Sequence, residues 1–253
     1  MKLWNSILIA FSMFSAIPTP QTDWNERSMR FSLCAFPLVG VVVALCCRGW
    51  WQLCSLLALP AVLRGAGLCV LPVLITGGIH LDGYADTCDA LASHTEPERR
   101  QEILKDPHLG AFAAIRLGVY FVLSFALWTA MEKANVVALL GLFGLSRSLS
   151  GLALLCFPLR KGSGLARRFA EAADQRPVRG ILILQAVLFG ALLCLGRAPI
   201  ALAAALLVFL HYRQVCVKAF DGLSGDLAGW FLQRAELWML GALVIGQYVE
   251  VLF

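Results

Sequence analysis

Three aspartates and one histidine fall within ten positions of the segment "GGIHLDGYADTCDAL", residues 77–91. Asp82, Asp86 and Asp89 follow the spacing i, i+4, i+7, which on a helix places them on one stripe about 60° wide. Like charges this close repel one another unless a cation lies among them. Carboxylate oxygens select a hard ion such as Mg²⁺, which is often shared with substrate phosphates. The spacing therefore predicts a magnesium site, and a solvated acidic helix face is the alternative.

A second polar segment, "FDGLSGDLAGW", covers residues 220–230. Ser224 and Gly225 could offer a hydroxyl and a backbone N–H group to a phosphate, while Asp226 could bind a metal. Ordinary turn chemistry is the alternative for such a segment. Phosphoryl transfer with metal ions draws carboxylates from more than one segment. We therefore expect Asp226 to join the first cluster as a metal ligand.

Two further groups could take part in the same chemistry. In "KDPHLGAF", residues 105–112, Lys105 and His108 could hold phosphate oxygens, and an interfacial anchor is the alternative. His80 follows the pair Gly77–Gly78, where a helix break at a membrane boundary is expected. Catalysis is one role for this histidine, and a structural or supporting contact is the other.

The chain that must position these groups has the composition of a membrane protein. Of its 253 residues, 59% are hydrophobic and 15% are charged, with a mean hydropathy of +0.76. Soluble domains are about 45–50% apolar and about 25% charged. We therefore predict an all-α, polytopic integral membrane bundle that forms a single domain over residues 1–253 and lies in a lipid bilayer.

Apolar segments mark about seven transmembrane helices, since each approaches the roughly 20 residues needed to cross a bilayer. Residues 1–19 are expected to remain as a membrane-associated or re-entrant segment. The short Trp-rich stretch 49–59 is expected to lie at the interface. The predicted spans are 31–47, 62–79, 109–131, 135–158, 180–196, 198–217 and 235–253.

The cationic side chains orient these spans. If the loops 20–30, 80–108, 159–179 and 218–234 share one side, that side holds fourteen lysines and arginines and the other side holds four. Such an excess marks the cytoplasmic side. The net charge of +5 is therefore attributed to loops that face anionic lipids, and nucleic acid is not expected as a partner. The fourteen are Arg27, Arg30, Arg99, Arg100, Lys105, Arg160, Lys161, Arg167, Arg168, Arg176, Arg179, Arg213, Lys218 and Arg234, and the four are Arg48, Arg64, Lys133 and Arg197.

Two arginines fall inside predicted spans. An ionisable residue at membrane depth usually faces a polar cavity or a charged partner. For Arg147, deep in its span, we expect such a functional setting. For Arg116, near the start of its span, a position at the interface is an equal alternative.

The chain resembles the cobalamin synthase family, also called adenosylcobinamide-GDP ribazoletransferases, over nearly its whole length. Asp221, Ser224 and Ala90 depart from the pattern, where glycine, threonine and glycine are usual. No departure removes an aspartate of the two acidic segments. The resemblance rests on "FSMFSAIPTP", "FPLVGVVVAL", "GGIHLDGYADTCDAL", "KDPHLGAFAAI", "LSRSLSGLALLCFPLRKGSGLARRF" and "GLSGDLAG".

The resemblance implies a reaction that joins adenosylcobinamide-GDP to α-ribazole, or to its 5′-phosphate, with Mg²⁺ and release of GMP. It implies a multi-pass enzyme of the cell inner membrane with a cytoplasmic active site, and it leaves open whether the chain forms a homo-oligomer. Under this hypothesis Asp82, Asp86 and Asp226 hold the metal, with Asp89 as a further ligand. Asp89 is also the expected general base.

The same hypothesis assigns the remaining groups. Asp86 and His80 are the other candidate catalytic residues. Lys105, Arg147 and Arg160 are candidate phosphate clamps, and His108, Ser224 and Gly225 complete the predicted substrate contacts.

Two other classes of protein also place carboxylates in membrane segments. CDP-alcohol phosphotransferases use an Asp-Gly-x-x-Ala-Arg pattern with Mg²⁺, but here Asp86 follows Ala85. Prenyl transferases have carboxylate pairs of their own. A cation transporter would hold such groups near the bilayer midplane, whereas these aspartates lie at the cytoplasmic end of a predicted span.

Overall fold

The computed structural model describes residues 2–160, 162 and 164–252, and gives no side-chain description for residues 2 and 250–252. Over these residues the fold is helical, with one isolated parallel bridge between Leu159 and Leu223. The predicted all-α class is therefore confirmed. The helices are α1 Lys2–Phe14, α2 Glu26–Met29, α3 Ser32–Leu56, α4 Ala61–Thr76, α5 Ile79–Ala92, α6 Pro97–Ile103, α7 Ala111–Ala130, α8 Val136–Cys156, α9 Gly164–Ala172, α10 Gln175–Leu195, α11 Pro199–Phe220 and α12 Gly225–Leu252.

The described helices include five that are long and apolar enough to cross a membrane, namely α3, α7, α8, α10 and α11. The pair α4 and α5 makes a sixth span if it is counted as one broken element. The predicted count of about seven was therefore approximate. The chain is a multi-pass membrane protein.

The helix α3 corrects the expectation for residues 49–59. These residues do not form a separate interfacial element, because α3 runs without a break for 25 residues through Arg48 and Gly49. One glycine inside a helix costs only about 1 kcal/mol relative to alanine. The helix ends at Leu56, and Pro60 precedes the first residue of α4.

A sharp break separates α4 from α5, the helix that carries the aspartates of the first acidic segment. Gly77 and Gly78 both have left-handed backbones, with φ of 65° and 78°, which glycine adopts without steric cost. The two helices bend by 96° at this point. At 14 residues α5 is too short to cross the bilayer by itself, and it is not among the five helices that are long enough.

The helix α8 forms the centre of the bundle and packs against α3 and α10. Nearly every residue of α8 is buried. Within it, Arg147 is fully buried and its Nη1 donates to Glu236 Oε1 of α12 at 2.5 Å. Ser146 Oγ donates to the same oxygen at 2.9 Å. The partner of this deeply placed arginine is therefore a second buried side chain of the bundle.

The short connections gather at the end of the bundle that lies away from α5. Asn135 donates to the Gly196 carbonyl at 3.3 Å, and Gln247 donates to the Lys133 carbonyl at 2.7 Å. Since successive long helices alternate in direction, the connections at 77–78, 157–160 and 221–224 lie at the opposite end. Both acidic segments therefore lie at the same end of the bundle.

Candidate active site

The two acidic segments meet where α5 packs against α12. A Cβ atom built on Gly83 would lie 2.7 Å from the Asp226 carbonyl oxygen. One built on Gly229 would lie 2.8 Å from the His80 carbonyl oxygen. Only hydrogen atoms fit at these two points, so the glycines allow the backbones to touch. This contact brings Asp82 and Asp226 to the same cavity.

The cavity has a volume of about 210 Å³ and combines acidic and apolar walls. Asp82, Asp226 and Gly225 line its polar side, and His80 lies beside them. The other walls come from α1, α3, α8 and α9. They include Met13, Phe14, Phe36, Leu154, Leu165, Ala166 and Phe169.

Asp86 lies one turn beyond Asp82 on α5 and is half-buried. Burial, together with the negative charges of Asp82, Asp226 and Asp89, raises the pKa of Asp86 from 3.8 to about 6. A carboxyl group in this position is stabilised by a nearby cation. A cation would therefore relieve the repulsion among these carboxylates, and the magnesium site stays a prediction.

The donor set fits Mg²⁺ only with help from a substrate. No group of three histidine, cysteine, aspartate or glutamate side chains stands ready to hold a metal ion in the described part of the chain. Asp82 and Asp226 nevertheless line one cavity. Mg²⁺ commonly takes one or two carboxylates and completes its shell with water and substrate phosphates. Asp82 and Asp226 could therefore hold an ion together with a substrate phosphate.

Asp226 is held by its own turn at the start of α12. Ser224 Oγ donates to Asp226 Oδ2 at 3.3 Å, and Leu227 N–H donates to Ser224 Oγ at 3.4 Å, so Ser224 caps α12. Burial raises the pKa of Asp226 and Asp82 acts in the same direction, whereas Ser224 and Arg160 oppose it. The predicted phosphate contact of Ser224 thus competes with a structural hydrogen bond.

Arg160 lies beside Asp226 with much of its guanidinium unused. Its backbone N–H donates to the Leu223 carbonyl at 3.0 Å, and Gly222 lies directly against it. The side chain is buried, and its Nε and Nη1 have no hydrogen-bond partner among the residues described. Unpaired guanidinium N–H groups can bind a phosphate. Arg160 does not line the cavity, but its charge acts on Asp226, so its role as a phosphate clamp stays a prediction. Its neighbour Lys161 lies outside the described residues.

Asp89 has a different setting from the one predicted. Its Oδ1 accepts the Ala113 N–H at 3.3 Å, and its carboxylate lies against Gly110. It therefore caps the N-terminus of α7 and does not line the cavity with Asp82 and Asp226. The spacing correctly predicted the helical stripe, but the last aspartate of the stripe points at a neighbouring helix. The structure does not support Asp89 as metal ligand or general base.

His80 is buried, and its Nε2 has no hydrogen-bond partner within the described structure. Burial and the positive charge of Arg147 lower the pKa of His80 to about 3. The ring is therefore neutral at physiological pH. It can form a hydrogen bond with a ligand in the cavity. A ring that stays neutral is not suited to the catalytic role that the sequence predicted for His80.

Three predicted substrate contacts lie elsewhere. Arg147 uses Nη1 to bind Glu236 in the protein interior, so the structure does not support a phosphate clamp there. Lys105 is exposed on the loop before α7. The His108 side chain is 89% exposed, and its Nδ1 lies 2.7 Å from Asp106. Neither Lys105 nor His108 lines the cavity.

Arg116 lies in the second turn of α7 and is exposed. This position agrees with the interfacial alternative. Gly225 is exposed at the start of α12 and lines the cavity, as expected for a residue whose N–H group faces a ligand.

Sequence reasoning missed the apolar side of the cavity and the partner of Arg147. Phe14, Phe36 and Phe169 belong to three separate helices, and single apolar residues in apolar segments carry no distinguishing signal. Glu236 did carry one, because a carboxylate inside an apolar run requires a partner.

The sequence pattern that defines the cobalamin-5-phosphate synthase family matches residues 6–244, which include both acidic segments. The chain belongs to this family. Family members with similar sequences align with this chain over almost its whole length. No solved structure matches the chain.

Three relatives illustrate the similarity, and each carries the name adenosylcobinamide-GDP ribazoletransferase. The protein of Lachnoclostridium phytofermentans is 44% identical over 99% of this chain and 97% of its own length. That of Desulfitobacterium hafniense is 34% identical over 95% of this chain and 96% of its own length. That of Clostridium botulinum is 31% identical over 93% of this chain and 95% of its own length.

Proposed function

We propose that the protein is an adenosylcobinamide-GDP ribazoletransferase that joins adenosylcobinamide-GDP to α-ribazole or α-ribazole 5′-phosphate and releases GMP. The observation that carries the proposal is family membership across residues 6–244, together with relatives of that name that align along their full length. The product is adenosylcobalamin or its 5′-phosphate. The reaction belongs to the last steps of cobalamin biosynthesis.

The chemistry is substitution at phosphorus. A ribose hydroxyl of α-ribazole forms an O–P bond to the cobinamide-bearing phosphorus of the diphosphate. The P–O bond to the GMP phosphate breaks, and the hydroxyl proton passes to a base. Such transfers depend mainly on charge neutralisation and alignment of the reacting groups.

We assign Asp82 and Asp226 to a Mg²⁺ ion, because both line the cavity and come from helices that pack directly together. When bound, the ion neutralises charge on the diphosphate oxygens. Arg160, with its free N–H groups beside Asp226, is assigned to the same diphosphate. The exposed N–H group of Gly225 at the start of α12 is a further donor.

Asp86 replaces Asp89 as the assigned proton acceptor. Asp89 is already used as a helix cap, whereas Asp86 lies within electrostatic range of both Asp82 and Asp226. A carboxylate beside the reacting hydroxyl can accept its proton. Asp86 also remains available as a further metal ligand.

We further propose that the site faces the cytoplasm of the cell inner membrane. The support is charge asymmetry, because fourteen lysines and arginines accompany the loops at the end of the active site and four accompany the other end. Nucleoside-linked substrates made in the cytoplasm would reach such a site directly. The proposal includes no nucleic-acid partner and leaves the oligomeric state open.

The test uses purified protein in detergent with adenosylcobinamide-GDP, α-ribazole 5′-phosphate and Mg²⁺. Chromatography then measures GMP and corrinoid product in the same samples. The proposal predicts that both form in equal amounts. GMP without corrinoid product would indicate a hydrolase, and absence of both from folded protein would overturn the proposal.

A further inference from the structure

The apolar half of the cavity has no role in the diphosphate chemistry. Phe14, Phe36 and Phe169 form one aromatic group, with ring centroids 4.1 Å apart for Phe14 and Phe36 and 5.6 Å apart for Phe14 and Phe169. The His80 ring packs against Phe36 at 5.6 Å and is stacked with Phe14 at 6.2 Å. Such a surface suits a flat aromatic ligand.

The His80 ring brings a polar atom into this aromatic group. His80 Nε2 is buried without a hydrogen-bond partner among the residues that the structure describes. A buried polar group without a hydrogen-bond partner is destabilising. A ligand with one matching polar atom would remove that cost when it binds.

The base of α-ribazole has this chemistry. It is a flat, fused two-ring dimethylbenzimidazole in which one nitrogen carries the ribose and the other has a free lone pair. We propose that this cavity binds the dimethylbenzimidazole base of α-ribazole, with His80 Nε2–H donating a hydrogen bond to the free ring nitrogen. The inference rests on the proposed function and deepens it, because it names the substrate part that the apolar walls select.

The other parts of the two substrates fit less well. The corrin ring is many times larger than a cavity of about 210 Å³. Guanine has several hydrogen-bond donors and acceptors around its edge. In this cavity most of these groups would face phenylalanine rings and would have no hydrogen-bond partner. A base at this site places its ribose toward Asp82 and Asp226, which lie on the polar side of the same cavity. The attacking hydroxyl would thus lie near the assigned diphosphate site.

The experiment compares two acceptors of equal shape. One is the riboside of 5,6-dimethylbenzimidazole, and the other is the matching dimethylindole riboside, in which C–H replaces the free nitrogen. For the wild-type protein we expect the KM of the indole riboside to be about tenfold higher, because His80 Nε2 remains unpaired. The KM for adenosylcobinamide-GDP should be the same with either acceptor.

The variant His80→Phe keeps an aromatic ring and removes both nitrogens. It should raise the KM of the benzimidazole riboside about tenfold and lose the discrimination between the two acceptors. His80→Gln should restore part of it, since its amide nitrogen can donate. The control His211→Phe changes an exposed histidine that does not line the cavity, and should leave the discrimination intact.

The outcomes separate this inference from the proposed function. Equal KM values for both acceptors with the wild-type protein would overturn the inference while the transferase function stands. A His80→Phe variant that raises only the KM of adenosylcobinamide-GDP would overturn it in favour of guanine at this site. Absence of product from the wild-type protein with either acceptor would remove both. If His80→Phe does not fold, the comparison of acceptors with the wild-type protein decides alone.

Discussion

The backbones of Gly83 and Asp226 touch, since a Cβ atom on Gly83 would lie 2.8 Å from the Asp226 Cα. This relationship links the two acidic segments, which are more than a hundred positions apart in the chain. Because Asp82 precedes Gly83, the same contact places both carboxylates at one cavity. The close approach of α5 and α12 is therefore the structural basis of the site.

Substitution at this contact should damage activity. In Gly83→Ala the new methyl group overlaps the Asp226 backbone, and overpacking of this kind costs about 1–3 kcal/mol. We expect at least a tenfold loss of turnover, measured as GMP release, and a lower midpoint of thermal unfolding. The matched control is Gly118→Ala in α7, where an added Cβ meets nothing within 4 Å. Equal activity of the two variants would contradict the importance of the α5–α12 contact.

Asp89 should behave as a helix cap. In Asp89→Ala the Ala113 N–H loses its acceptor, and the loss of a cap costs about 1 kcal/mol. In Asp89→Asn the amide oxygen can still accept, so stability should stay near that of the wild-type protein. We expect turnover by Asp89→Asn within about threefold of the wild-type value. A loss of a thousandfold would instead restore Asp89 as a catalytic base.

Arg147 and Glu236 should act as a structural pair. Arg147→Met leaves the buried Glu236 carboxylate without its partner, which costs about 3–5 kcal/mol. The double variant with Glu236→Met removes both charges and should recover most of that stability. Thermal unfolding in one detergent measures both effects. If the double variant is stable but its KM for adenosylcobinamide-GDP rises tenfold, Arg147 contacts substrate after all.

The pKa of Asp86 predicts how stability depends on pH. Its pKa is raised in the folded protein from 3.8 to about 6, so the proton is held more tightly when the chain is folded. In the metal-free protein, protonated Asp86 should therefore contribute to the free energy of unfolding below pH 4. This contribution should be lost as the pH rises through about 6. Above pH 6, Mg²⁺ should offset the repulsion and raise the unfolding midpoint. Below pH 4 the added ion should have little effect.

The control for this pH experiment is Asp86→Asn. It removes the titrating group, so the midpoint should vary less between pH 4 and 6 and Mg²⁺ should stabilise the protein less. An identical pH profile in variant and wild-type protein would assign the effect to another group.

The sequence predicted the helical class and the acidic stripe of α5. Local rules were sufficient there, because the i, i+4, i+7 spacing and the glycine pair at 77–78 act within one or two turns. Long-range contacts were not predictable in the same way. The direction of the Asp89 side chain depends on where α7 begins, and that position is set by packing between helices.

The same distinction explains Arg147 and the apolar walls. The depth of Arg147 in an apolar segment indicated that its charge has a partner. A phosphate and a second buried side chain satisfy that requirement equally well. Only the packing of α8 against α12 identifies Glu236. The walls formed by Phe14, Phe36 and Phe169 arise from three segments that meet only in the folded chain.

The central claim is that Asp82 and Asp226 jointly support Mg²⁺-dependent transfer. The most direct measurement compares GMP release, with corrinoid product from the same samples, for wild-type protein, Asp82→Asn, Asp226→Asn and Asp89→Asn across a Mg²⁺ series. We predict that the first two variants stay folded and lose at least a thousandfold in turnover, while Asp89→Asn stays near the wild-type value. Wild-type turnover should disappear when a chelator removes the metal. Full activity of folded Asp82→Asn or Asp226→Asn, or of chelated wild-type protein, would contradict the account.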